Sequence, residues 1–156
     1  AYLGAIGTSA ADTLGTEIGL LNPYEPRLIT DLSRRVPAGT SGAISPYGEM
    51  ASLVGAGVIA SVAWFTGFTG LSSILNLFVG LFAGFLGSTF DSVLGATVQA
   101  SFRCKVCGKM TERKTHCGLQ ATHAGGNRIF DNNVVNLFAT ALGGLSAGLA
   151  SALLSL

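Results

Sequence analysis

Three of the four aspartates in this 156-residue chain sit where a charge is expensive. Asp12 lies in ADTLGTEIG, Asp91 in GSTFDSVLGATVQ and Asp131 in DNNVVN, each inside or at the mouth of an apolar stretch. Ionisable groups at membrane depth are costly unless they are partnered or functional. Three carboxylates converging from three segments suit a hard divalent cation such as magnesium, which favours carboxylate and water ligands around a substrate phosphate. An interfacial residue facing water would explain any one of them, but it explains three poorly. Thr13, Glu17, Ser92, Gln99, Asn132, Asn133 and Asn136 accompany the aspartates and are the candidate substrate- and nucleotide-binding groups.

A second constellation is RRVPAGTSGAISPYG, from Arg34 to Gly48. Arg34 and Arg35 supply charge, Gly39 and Gly42 permit close backbone approach, and Thr40, Ser41 and Ser45 offer hydroxyl donors. Together they make a phosphate cradle. The Gly-Lys-Ser/Thr ending of a Walker loop is absent, and a Gly/Ser loop taken alone is usually only a turn.

The third uses every cysteine of the chain: Cys104-Lys-Val-Cys107, then eight residues, then His116-Cys117. This spacing fits a tetrahedral structural zinc site, with His123 as a substitute for His116. A free CxxC or a disulfide is the alternative, and a reducing cytosol favours zinc.

These groups must be positioned by membrane helices. The chain is 49% hydrophobic and 11% charged, against about 25% charged in soluble domains, and its mean hydropathy is +0.54. No charge falls between Ala51 and Phe90, or after Asp131, or before Asp12. A span needs about 20 consecutive mostly apolar residues. The sequence therefore predicts an all-α, polytopic transmembrane bundle in one membrane domain, residues 1–156, with a zinc-stapled insert at 103–130. Four helices are expected: a remnant from Tyr2 to about Leu20, then about Tyr47–Phe65, Leu71–Phe102 and Asn132 to the C-terminus. Thirty residues of helix extend roughly 45 Å, so the third should project past the bilayer. The start at Ala1 reads as a domain lacking N-terminal helices.

All nine basic residues fall in the two loops that flank this arrangement on one side, while the turn Thr66–Gly70 carries no charge. The positive-inside rule assigns that side, and the site, to the cytoplasm. A net charge of +1 gives no footprint for nucleic acid. Gly80, Gly84, Ser88, Ser92 and Ala96, the row Gly87, Asp91, Gly95 and Gln99, and Asn132, Asn136, Thr140, Gly144, Gly148 and Ala152 form small-residue stripes that widen into polar groups. Helix packing accounts for the glycines and alanines, but not for Asp91, Gln99, Asn132 or Asn136.

In this order the motifs ADTLGTEIG, RLITDLSRRVPAGTSGAIS, FDSVLGATVQ, the Cys/His insert and DNNVVN resemble the integral membrane family that includes phytyl-phosphate kinase. The resemblance covers essentially the whole chain. Asp12-Thr13, Thr40-Ser41-Gly42 and Asp91-Ser92 are also faintly similar to dolichol kinases and CDP-diglyceride synthases. It implies a magnesium-dependent kinase that uses CTP or another nucleotide to convert a prenyl monophosphate to the diphosphate, its isoprenoid tail lying along the glycine-lined helix faces. Asp12, Asp91 and Asp131 would hold magnesium, and the arginine-glycine loop would cradle phosphates. The chain departs from the family at Asn132-Asn133, where Asn-Asp is usual. A cytidylyltransferase, a transporter for an anionic solute and a zinc-stapled scaffold are the alternative readings. A second copy of the chain is admitted as a partner.

Overall fold

A computed structural model of the chain describes residues 1–67 and 74–154. Four helices dominate: α1 (Tyr2–Gly19), α2 (Pro46–Phe65), α3 (Ile74–Thr97) and α4 (Asn132–Leu154). α2, α3 and α4 are long and apolar enough to cross a membrane. α1 falls short of that apolarity, so the expectation of four spanning helices holds for three. Its later half is polarised by Asp12, Thr13, Thr16 and Glu17, and it is packed against all three of the others. α3 likewise touches every other helix, so α1 and α3 form the central pair and α2 and α4 flank them.

The bundle is small inside and large outside. Ala11, Ala56, Ala60, Ala83, Ala139 and Ala147 are buried, while Val58, Val62, Phe82, Leu86, Leu145 and Leu149 point outward. A water-soluble bundle inverts this order. Within a bilayer the outward residues meet lipid, and close backbone packing drives association. Thr8 of α1 is the clearest instance. It is 1% exposed, donates its hydroxyl to the Gly4 carbonyl at 2.9 Å, and fills a notch formed by Gly87 of α3 and Gly143 of α4. Gly84 rests on Gly7. These glycine faces are occupied by neighbouring helices, which overturns the expectation that an isoprenoid tail lies along them.

α2 begins where the sequence implies. Ser45 is its N-cap, the Oγ accepting from the Gly48 N–H at 3.2 Å, and Pro46 opens the first turn. α3 does not run on to Phe102. After Thr97 the Val98 and Gln99 amides both turn to the Leu94 carbonyl, Ala100 donates to Phe130 O, and Asn127 donates to Val98 O. Pairing with the returning chain ends the helix, and no long projection forms.

The α1–α2 and α3–α4 connections are not helical but carry short strands, so the all-α expectation is corrected to mostly helical among the described residues. β1 (Arg27–Leu28), β2 (Asp31–Arg35) and β3 (Ala43–Ile44) form an antiparallel sheet in the order β2-β1-β3. β4 (Ser101–Arg103), β5 (Met110–Thr111) and β8 (Thr122–Gly125) form a second, in the order β5-β4-β8. β6 (Thr115–His116) and β7 (Leu119–Gln120) make a hairpin. Polar segments this short cannot sustain a helix nucleus, and hairpin pairing satisfies their backbone instead. Of the expected turn Thr66–Gly70, Thr66 and Gly67 form a turn after α2, and residues 68–70 lie outside the described residues.

Candidate functional site

A cavity of about 580 Å³ opens at the end of the bundle where α1 and α3 finish and α2 and α4 start. Both basic loops lie at this end. Asp12 enters from α1 and Asp91 from α3, with Asn132, Asn133 and Asn136 from α4 and Ser45, Glu49 and Ser52 from the start of α2. Gly39 to Ala43 close one wall. That wall is a tight turn: the Thr40 amide and hydroxyl both donate to Pro37 O, at 3.1 and 2.7 Å, and the Ala43 amide donates back to Thr40 O. Gly39 (φ +82°) and Gly42 (φ +72°) take left-handed conformations open to glycine at little cost. Below, Ser52 donates to the Ala11 carbonyl at 3.0 Å and lies 3.4 Å from the Ser88 hydroxyl, lacing three helices together under the site.

Two atoms in this cavity lack what buried polar atoms normally have. Asp91 Oδ2 and Asn136 Oδ1 are buried with no hydrogen-bond partner among the described residues. Most buried polar groups are paired, and an orphan points to a strained or ligand-binding position. Asp12, Asp91 and Glu112 lie close enough to repel one another. Asp12, Thr13, Asp91 and Asn136 also line a second cavity of about 70 Å³ that extends past Ser9 to Thr8 and Thr140.

Beside the cavity, one ligand atom from each of Cys104, Cys107, His116 and Cys117 falls within 4.8 Å of all the others. His116 Nδ1 lies 3.6 Å from Cys107 Sγ and 3.2 Å from Cys117 Sγ. Tetrahedral zinc with ordinary Zn–S and Zn–N bonds would separate nitrogen and sulfur by about 3.6 Å. The Val106 and Cys107 amides point at Cys104 Sγ, at 3.4 and 3.5 Å. Mainly through the Cys107 amide, the Cys104 thiol is brought down to about 6. Hydrogen bonding with the Cys107 side chain, aided by burial and by Cys104, pushes Cys117 up to about 11. The cluster can bind a metal.

The family described as "Integral membrane protein DUF92" matches residues 1–144. The chain belongs to the DUF92 family. This is the family whose motifs its sequence resembles. It is 32% identical to Protein PGR of Arabidopsis thaliana over 90% of its own length and 50% of that protein. It is 31% identical to an uncharacterized membrane protein of Methanocaldococcus jannaschii, over 92% of its own length and 48% of that protein. An uncharacterized membrane protein of Synechocystis matches at 34% over 63% of this chain and 36% of that protein. The chain thus spans about half the length of the first two relatives. No solved structure matches it.

In this DUF92 protein most of the residues picked out by sequence share the cavity. Asp12, Asp91, Thr13, Glu17, Gly39, Thr40, Ser41, Gly42, Ser45, Ser92, Gln99, Asn132, Asn133 and Asn136 all line it. Asp131 does not. Its Oδ1 accepts from the Val134 N–H at 3.2 Å, capping α4, and its Oδ2 lies 3.8 Å from Lys114 Nζ. Arg34 and Arg35 are exposed on β2, away from the cavity lining. His123 sets its ring edge against Phe102, and His116 completes the metal cluster. The sequence reading missed Thr16, Glu49, Ser52, Glu112 and Arg113, which line the cavity as well. Ser88, also a lining residue, was legible only as part of the Gly80–Ala96 stripe.

Proposed function

We propose that this DUF92 protein is a membrane kinase that transfers a phosphoryl group from CTP or another nucleotide to a prenyl monophosphate. The observation that carries the proposal is the buried, unpartnered Asp91 Oδ2, in a cavity also lined by the Gly39–Ser45 turn. The charge balance supports it. Asp12, Glu17, Glu49, Asp91 and Glu112 line the cavity against one cation among the described residues, Arg113. Such a lining repels a nucleotide on its own and accepts it with divalent cations. Asp12 and Asp91, with Glu112 beside them, are the residues that would hold magnesium. When bound, magnesium neutralises phosphate charge and orients the transferring group.

The chain's own residues would do the rest. The Ser41 hydroxyl is placed to donate to phosphate oxygens, the Thr40 amide and hydroxyl being committed to Pro37 O within the turn, and Asn132, Asn133 and Gln99 offer side-chain amides in the same cavity. An oxygen of the acceptor phosphate attacks the terminal phosphorus of the nucleotide. The bond to the bridging oxygen breaks, and the nucleoside diphosphate leaves with the electron pair. The acceptor is already anionic, so no strong base is needed, and catalysis is mainly positioning and charge stabilisation. With the inner glycine faces filled, the prenyl tail is left to the lipid-facing surface. The basic loops favour placing the cavity at the cytoplasmic face.

The test is incubation of the full-length protein in detergent with magnesium, CTP or ATP labelled at the α or γ position, and a panel of prenyl phosphates. Transfer of γ label to the lipid is expected. Transfer of α label with release of pyrophosphate would identify a cytidylyltransferase instead, and absence of both would overturn the proposal.

A further inference from the structure

Arg113 is a strange residue to find at the cavity. It belongs to the insert, is exposed, and has no helix behind it, yet it is the cation among the described lining residues. Glu112 beside it is half-buried at the same mouth. Both sit between the two halves of the metal cluster: Cys104 and Cys107 precede them, and His116 and Cys117 follow.

The insert has little else to hold this segment. Phe102 and Cys104 are its buried apolar residues among those described. β5 and β6, on either side of the pair, are two residues each. Outside the short ladders of β4–β5 and β6–β7, the Gly108 amide donates to Cys104 O, the Cys104 amide to Lys109 O, the Ala121 amide to Lys114 O and the Arg113 amide to Thr111 Oγ1 at 3.2 Å, and Lys114 Nζ lies 3.8 Å from Asp131. Two tight turns bring the ligands together. Cys117 (φ +51°) and Gly118 (φ +77°) are the two central residues of the turn between β6 and β7, and Gly108 turns the first pair at +71°. A tetrahedral metal would tie these two turns together and close the loop that carries Glu112 and Arg113.

We propose that Cys104, Cys107, His116 and Cys117 bind one zinc ion whose task is to hold Arg113 and Glu112 at the cavity mouth, where Arg113 contacts the nucleotide phosphates. Arg113 is then a binding residue and the four ligands are positioning residues. Only the identity of the phosphates rests on the kinase reading.

The experiment uses the full-length protein in detergent with three readouts: zinc per chain, the rate of trypsin cleavage after Arg113, and affinity for magnesium-CTP. Wild type should carry one zinc. Chelation, or Cys107→Ser, should remove it, speed cleavage after Arg113 and weaken magnesium-CTP binding by about tenfold or more, the scale of a lost charged hydrogen bond. Zinc added back to chelated wild type should restore both, which separates a lost metal from a misfolded variant. Arg113→Ala should lose the same affinity while keeping zinc, and chelating that variant should cost no further affinity. Zinc-free wild type, a chelated protein with unchanged cleavage and affinity, or an Arg113→Ala protein that binds like wild type would overturn the proposal. If wild type binds no nucleotide while zinc still governs cleavage after Arg113, the kinase reading and Arg113's phosphate contact fall and the metal tie stands.

Discussion

Gly42 lies so close to Ala96 that a β-carbon at position 42 would overlap the Ala96 backbone and side chain. This contact, with Ser41 beside Gly95, pins the Gly39–Ser45 turn to the end of α3 one turn from Asp91 and Ser92. The turn is therefore seated by the helix that carries the central carboxylate. Gly42→Ala meets both the overlap and a φ of +72°, so the turn must lift off α3. The expected result is a fall in kinase turnover of about tenfold or more with a small loss of thermal stability, since misplacing a positioning element by about 1 Å can cost about 10² in rate. Ala38→Gly, exposed just before the turn and free of a left-handed φ, should change less.

The notch around Thr8 makes a second prediction. A β-carbon at Gly87 would meet the Thr8 side chain, and overpacking a tight site costs about 1–3 kcal/mol. Gly87→Ala should lower the melting temperature in detergent. Adding Thr8→Ala, which removes the opposing hydroxyl and methyl, should recover part of it. Additive losses in the double variant would show that the two positions do not share the contact.

Orientation can be checked at two exposed sites at opposite ends of the bundle. Leu32 lies on β2 with the basic loops, and Thr66 closes α2 at the far end. In intact cells a membrane-impermeant thiol reagent should label Thr66→Cys and spare Leu32→Cys. The reverse pattern would place the cavity outside the cytoplasm.

The bundle was legible because its signals are local. Ser45-Pro46 starts α2, and charge-free runs fix the spans of α2 and α4 to within a residue or two. The end of α3 was not legible, because it is set by hydrogen bonds to Asn127 and Phe130, some thirty residues away. The shared cavity was legible through polar groups set into small-residue stripes, which have no other reason to be there. Its cation was misread. Arg34 and Arg35 are adjacent to the Gly/Ser turn in sequence, but β2 pairs outward on β1 and carries them off, while the insert folds Arg113 back over the mouth.

The aspartates give the sharpest test, because three similarly placed carboxylates divide between two roles. Asp12 and Asp91 line the cavity, whereas Asp131 caps α4 through the Val134 amide and faces Lys114. Asparagine keeps the size and hydrogen bonding of aspartate and removes its charge. At Asp12 or Asp91 that should cost about 10²–10³ in turnover, the usual loss for one transition-state stabiliser, with folding retained and the magnesium optimum shifted. Asparagine is as good an N-cap as aspartate, and the exposed partner Lys114 contributes little. Asp131→Asn should therefore run near wild type, and Asp131→Ala should lose about 1 kcal/mol of stability while the folded fraction keeps its turnover. Glu112→Gln should fall between these classes, since Glu112 reaches the same cavity from the insert. Equal losses at all three aspartates would mean that Asp131 turns toward the substrate in the working enzyme. Near wild-type turnover in Asp12→Asn and Asp91→Asn, with unchanged magnesium dependence, would remove the kinase reading altogether.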